Sequence, residues 1–205
     1  MVKLSRQAIV LLGSEFLDQL TLDDVYPPDR GSFKGGWTER DGAVLLRGFL
    51  ENYHGARRHF DDVMDYELAV NGRGVPEEGI KGKGEELIAP ILRRGAAFVW
   101  EALHDLRSSM PGVVAQGFVT SASVLMDPGE YTGYMTICTV RESGWNYMDM
   151  ANSESVVGLS IDSEECVWPL PPGCSPTPLT RMTEAWRYRV PLTSRVSTWR
   201  HKVRQ

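Results

Sequence analysis

The sequence predicts an α+β fold, with N-terminal helices packed on a C-terminal antiparallel sheet and a basic C-terminal arm. Up to about residue 110, apolar residues recur at the steps of three and four that mark helices. After "MPG" at 110–112 the period falls to two, and β-branched and aromatic residues take over. Helices first and strands afterwards, without βαβ alternation, point to a segregated α+β arrangement. The 205 residues, 42% hydrophobic and 24% charged, suffice for one body with an appendage. The expected body spans 1–170, with helices to about 110 and strands over about 113–168, and the spacer and arm span 171–205.

The first helix starts at Ser5 as N-cap and carries Ile9, Leu12, Phe16 and Leu20 on one stripe. "YPPDRGSFKGGWTERDG" (26–42) breaks it with two prolines and four glycines. Phe33 and Trp37 give that loop a packing or partner-binding role. From Asp41 as N-cap, Leu46, Phe49, Tyr53, Ala56, Phe60 and Val63 define the stripe of a long second helix to about residue 69. The third helix carries Ile88, Ile91, Phe98, Ala102 and Leu106, with Pro90 in its first turns. The second and third helices are expected to form an antiparallel pair.

"GFVTSASVLM" and "YTGYMTICTV" flank the turn "DPGE" at 127–130, a hairpin signal. "WNYMDM" and "SVVGLSI", separated by "ANSE", add two short strands. "PLPPGCSPTP" then reads as a proline-rich spacer. There is no internal repeat.

"NGRGVPEEGIKGKGEELIAPIL" (71–92) places five glycines in fourteen residues ahead of a helical pattern. Such a loop holds phosphate when its backbone N–H groups converge at a helix N-terminus. "GIKGKGEEL" resembles the pyrophosphate loop of N-acetyltransferases, which reads Arg or Gln, two residues, Gly, one residue, Gly or Ala, between a strand and a helix. Gly82 and Gly84 match, whereas Gly79 stands in the Arg or Gln position. That resemblance implies a CoA- or nucleotide-dependent transferase, with Lys81, Gly82, Lys83 and Gly84 as the cofactor-binding residues. Against it, Glu85 and Glu86 fill the first helical turn and repel a phosphate. The preceding "FDDVMDYELAV" reads as a helix end, not a strand. Gly72, Gly74 and Gly79 do not have dinucleotide-loop spacing, and no Ser or Thr follows a lysine as in a Walker loop. The expectation is a flexible joint between helices, with no cofactor.

Glu-x-x-His occurs twice, as Glu51 with His54 and Glu101 with His104, which is the pairing that presents metal ligands in di-iron bundles. At 100° per residue, Glu51 and His104 fall nearly opposite their apolar stripes and His54 more than a quarter-turn away, so no metal is expected. His59, Asp61 and Asp62 are too close in sequence to face one another as a triad. Cys138 reads as a small core residue, and there is no G-x-S-x-G elbow. No catalytic residue stands out.

Charge is divided along the chain. Residues 1–180 hold 15 Lys+Arg against 26 Asp+Glu, net -11, and residues 181–205 hold seven basic residues against Glu184, net +6. Within the arm, Trp186, Arg187, Tyr188, Arg189, Trp199 and Arg200 interleave aromatic and basic groups. That composition suits an acidic protein surface, including another copy of the chain, and also suits nucleic acid. The apolar run near the N-terminus is only about seven residues and lacks a small-residue cleavage site, so it is not read as a secretory signal. No stretch has the roughly 18 apolar residues of a membrane span. Cys138, Cys166 and Cys174 read as free thiols, so cytoplasmic residence is expected. The composite expectation is a non-catalytic interaction or assembly subunit, homo-oligomeric or bound to another protein.

Overall fold

The computed structural model describes residues 2–13, 15–33, 35–141 and 156–173. In chain order the elements are β1 (Val2–Leu4), α1 (Arg6–Leu12), β2 (Trp37–Arg40), β3 (Ala43–Leu46), α2 (Arg47–Leu50), α3 (Val63–Val70), β4 (Arg73–Val75), α4 (Ile88–Ser109), β5 (Ala115–Val124), β6 (Asp127–Thr139) and β7 (Val156–Asp162). The fold is α+β. A five-stranded antiparallel sheet runs β1-β7-β5-β6-β4, and β2 and β3 form a separate two-stranded sheet. The expected strand at 145–150, the turn at 151–154 and the arm lie outside the described residues.

Alternation along the strands assigns the two faces of the large sheet. Odd positions of β5 and β6 face α4: a Cβ added at Gly117 would fall 2.2 Å from Val99, and one at Gly133 would fall 2.2 Å from Ile91. The approach is reciprocal, since a Cβ on Gly95 of α4 would meet Val119 at 2.5 Å. These glycines let the helix axis come close to the strands. Even positions, Phe118 and Cys138, face α3 and pack with Met64 and Leu68. Thr136 Oγ1 ties the two together by donating to the Leu68 carbonyl at 2.9 Å. The main core therefore lies between α4 and the sheet, and α3 covers part of the opposite face.

The third predicted helix is α4, with Pro90 in its first turn. The first is shorter than expected. Ser5 caps it, accepting from Ala8 N at 3.2 Å, but Gly13 ends it, and Phe16 and Leu20 reach the core from 3-10 turns. The hairpin expected after residue 112 is β5–β6, but its turn is Leu125–Met126, two residues ahead of the expected "DPGE".

The long second helix does not form, and neither does the antiparallel pair that depended on it. Asp41 is not an N-cap: with φ 55° at Asp41 and 75° at Gly42, the two residues make the left-handed turn of the β2–β3 hairpin. β3 is buried on both sides, Val44 and Leu46 in the main core and Ala43 and Leu45 against Tyr66 and Val70 of α3. A strand covered on both faces loses its period-two signature. The chain then passes through the single turn of α2 and irregular backbone before Asp62 caps α3 by accepting from Asp65 N.

Candidate functional site

The segment 60–70 ends in a helix as expected, α3, but β4 (Arg73–Val75) stands between α3 and the last glycines, so the loop joins β4 to α4 and the expected direct joint between two helices is corrected. Gly79, Gly82 and Gly84 take φ values of +78°, +134° and +59°, in the positive range that favours glycine. The loop is fastened to the body. Arg94 Nη1 donates to the carbonyls of Glu78, at 2.9 Å, and Pro76, and its guanidinium lies 5.3 Å from the Tyr26 ring centroid. Tyr26 donates its hydroxyl to Glu78, whose carboxylate holds that hydroxyl protonated to higher pH than usual. At the helix entrance, Glu86 accepts from Lys83 N at 3.4 Å, with Glu85 beside it in the same turn. The chain's own carboxylates thus occupy the end where an anion would sit, while Lys81 and Lys83 are exposed.

The two Glu-x-x-His pairs separate completely. Glu51 and His54 are exposed on irregular backbone after α2. Glu101 and His104 sit on α4, but the outward orientation expected for them is corrected, because the segment after β7 runs along that face. Four α4 side chains hold alternate residues of this strap by their backbone. Arg107 donates to Glu164 O at 3.2 Å, His104 Nδ1 bonds Cys166 O at 3.1 Å, Trp100 donates to Trp168 O at 2.9 Å, and Glu101 accepts from Leu170 N. A carbonyl only accepts, so His104 carries its proton on Nδ1. Leu170 and Cys166 enter the core beneath the strap, and Pro171 O accepts from Leu22 N at 2.9 Å. Burial pushes the Glu101 and Asp105 carboxyls above the usual range. Among the described residues, no three His, Cys, Asp or Glu side chains gather as metal ligands.

The most buried charge is Glu67 on α3, which is 0% exposed. It accepts from Val44 N at 2.9 Å, Thr139 N at 2.8 Å, Thr139 Oγ1 at 2.8 Å and Arg141 Nη2 at 2.9 Å. Asn71, one turn later, accepts from Leu46 N and donates to Val44 O and Ile137 O, at 2.9, 2.9 and 3.0 Å. Together they stand in for the ladder that β3 and β6 do not make directly, since each pairs elsewhere. Burial, with Glu67 adding to it, pushes the nearby Cys138 thiol up to about 12, and burial raises Cys166 further. Neither thiol is available as a thiolate nucleophile near neutral pH. Sequence gave no sign of this cluster, because a lone Glu on a short helix reads as solvated until its neighbours are known.

The aromatic loop is spent on the core. Trp37 is 6% exposed and donates Nε1 to Ala102 O at 3.2 Å, and Phe33 packs with its ring centroid 4.9 Å from that of Phe98. Of the packing or partner-binding role expected for these two residues, the structure shows the packing. Trp186, Arg187, Tyr188, Arg189, Trp199 and Arg200 lie outside the described residues.

A surface missed by sequence reasoning is the tip of the β5–β6 hairpin. Leu125 and Met126 are 92% and 91% exposed, the two most exposed large apolar residues among those described. Exposed Asp127 and Glu130 follow on β6. Glu85 lies in the adjoining 3-10 turn, where a Cβ on Gly84 would stand 4.0 Å from Gly129 O. Chemically this is an apolar point beside carboxylates. No family model, curated protein or solved structure matches the chain.

Proposed function

We propose that the chain is a non-catalytic protein-binding or assembly subunit whose acidic body and basic, aromatic arm bind neighbouring proteins. The observation that carries this reading is the exposed Leu125–Met126 tip set beside Asp127, Glu130 and Glu85. Exposed apolar surface rimmed by polar groups is characteristic of protein-binding sites. The arm supplies the opposite chemistry, with aromatic residues among seven cations.

Two further contacts support the choice. The helix entrance that a CoA or nucleotide phosphate would need already carries Glu86 and Glu85. The acidic body would also oppose a nucleic-acid backbone, leaving the arm alone to attract one.

Light scattering of the full chain over a concentration series, at low and high salt, tests self-assembly. Reconstitution with a purified protein recovered alongside the native chain tests a different partner. The expected result is a salt-sensitive increase in mass by one of these routes. A chain that stays monomeric and reconstitutes with no protein overturns the reading. So does saturable thermal stabilisation by a CoA ester or nucleotide that is lost when Gly82 and Gly84 become Ala.

A further inference from the structure

Among the described residues, β5 pairs with β7 as far as Ala122, opposite Val156, and β6 pairs with β4 from Gly133 to Met135, while β5 and β6 stay paired with each other out to Val124 and Asp127. Turn geometry does not require Leu125 and Met126 at the end. Among the described residues Asp41 is the only non-glycine with positive φ, so neither tip residue holds the left-handed conformation that selects Asn or Gly in short hairpin turns. Packing within the described body does not use them either, as both are more than nine-tenths exposed.

The surroundings limit what can cover this tip. Among the described residues, Glu85 and Glu130 make no ion pair, and Asp127 reaches only Gly129 N, at 3.4 Å. Lys81 and Lys83 lie in the loop leading to Glu85, while Glu77 and Glu78 begin that loop. The carboxylates repel anionic lipid headgroups and favour a cationic partner carrying apolar groups. Residues 181–205 of this chain have that composition, with Trp186, Tyr188 and Trp199 among seven cations and a single acid.

Connectivity brings that segment within reach. The last described residue, Gly173, packs against the Asp23 side chain, and neighbouring Asp24 holds Arg93 at 2.7 Å in the second turn of α4. That is about 8 Å along the axis from Ile88, toward the end of α4 where the turn at Gly84–Leu87 meets β6. The 32 residues from 174 to 205 can span about 100 Å when extended. A tether of this kind keeps its end at roughly millimolar effective concentration.

We propose that the β5–β6 hairpin tip is the docking site of the chain's own basic arm. Aromatic groups of residues 181–205 cover Leu125 and Met126 while arginines meet Asp127, Glu130 and Glu85. The inference rests on the protein-binding reading and names an occupant for its surface. The contact closes within one molecule in dilute solution, and its exchange between copies gives a route to assembly.

Photo-crosslinking of the full chain tests the contact. Met126 is replaced by the photoreactive p-benzoylphenylalanine, the protein is irradiated at low micromolar concentration, and crosslinked peptides are mapped by mass spectrometry. The expected product is monomer-sized and joins the tip to residues 181–205. Its yield should fall roughly threefold to tenfold in the Asp127→Lys, Glu130→Lys double variant, which reverses two exposed charges and keeps the label and the apolar tip. The yield should also fall in about 1 M salt, where screening is nearly complete. Crosslinks that map elsewhere, or a yield unchanged by charge reversal in a variant that melts like the parent, overturn the docking. That failure leaves the protein-binding reading to its own mass and reconstitution tests, and failure of those leaves a mapped tip–arm contact standing.

Discussion

Glu67 shows how much one residue can hold. Its carboxylate neutralises Arg141 and satisfies the N–H groups of Val44 and Thr139, which otherwise meet no partner between β3 and β6. Glu67→Ala leaves the Val44 N–H, the Thr139 N–H and the Thr139 hydroxyl without their acceptor, so it should lower unfolding free energy by about 3–5 kcal/mol in urea titration. Arg141→Met should destabilise as well, because it leaves the Glu67 carboxylate, which is 0% exposed, without its counter-ion. Glu101 behaves in the opposite sense. Burial raises its carboxyl above the ordinary range, the Leu170 N–H and His104 pull it partly back, and Asp105 pushes it up. A folded value above the unfolded one means that its contribution to stability is full below the unfolded value and is lost as pH rises through the folded value. Glu101→Gln keeps an oxygen for Leu170 N and loses the buried charge. The variant should melt as high as wild type or higher at pH 7, with that advantage gone near pH 4, about the ordinary carboxylate value.

At the scale of elements, close approach outweighs propensity. Gly95 lies inside α4, where alanine would favour the helix by about 1 kcal/mol. The added methyl would meet Val119 at 2.5 Å and Val75 at 3.1 Å. Gly95→Ala should therefore destabilise by about 1–3 kcal/mol in denaturant titration, the usual cost of overpacking. The β2–β3 hairpin illustrates the same competition between signals. Asp41-Gly42 is a strong two-residue turn signal, yet the spacing of Leu46, Phe49 and Tyr53 also fits a helix. The left-handed pair at Asp41 and Gly42 decides for the hairpin, and β3 then gains cover on both sides.

For the whole molecule, the strap after β7 covers the face of α4 that the sheet leaves open. Its backbone is held at alternate residues along α4, and it delivers Cys166 and Leu170 to the main core. A chain ending at Gly173 keeps this arrangement and should unfold with nearly the full chain's free energy. A chain ending at Asp162 loses it, and should be less stable by at least about 2 kcal/mol, the worth of burying Leu170 alone. Comparing the urea midpoints of the two truncations checks this, and an equal midpoint would show that the strap contributes nothing. The exposed hairpin tip belongs to this scale too, since Leu125 and Met126 are the most exposed large apolar residues among those described.

Local pattern determined the α+β class, the α4 stripe with Pro90 in its first turn, the Ser5 cap and the β5–β6 hairpin, because each depends on residues close in sequence. Charge division was also legible, as net charge is a sum that folding does not alter. Only tertiary structure decided which polar and aromatic groups are buried. Trp37 meets Ala102, Glu67 meets Val44 and Thr139, and Glu101 meets Leu170, each across more than 20 residues of chain. Helical-wheel geometry set His104 opposite the α4 stripe, clear of the buried positions of that helix. It could not register the strap laid over Glu101 and His104, because solvent exposure depends on what the rest of the chain covers.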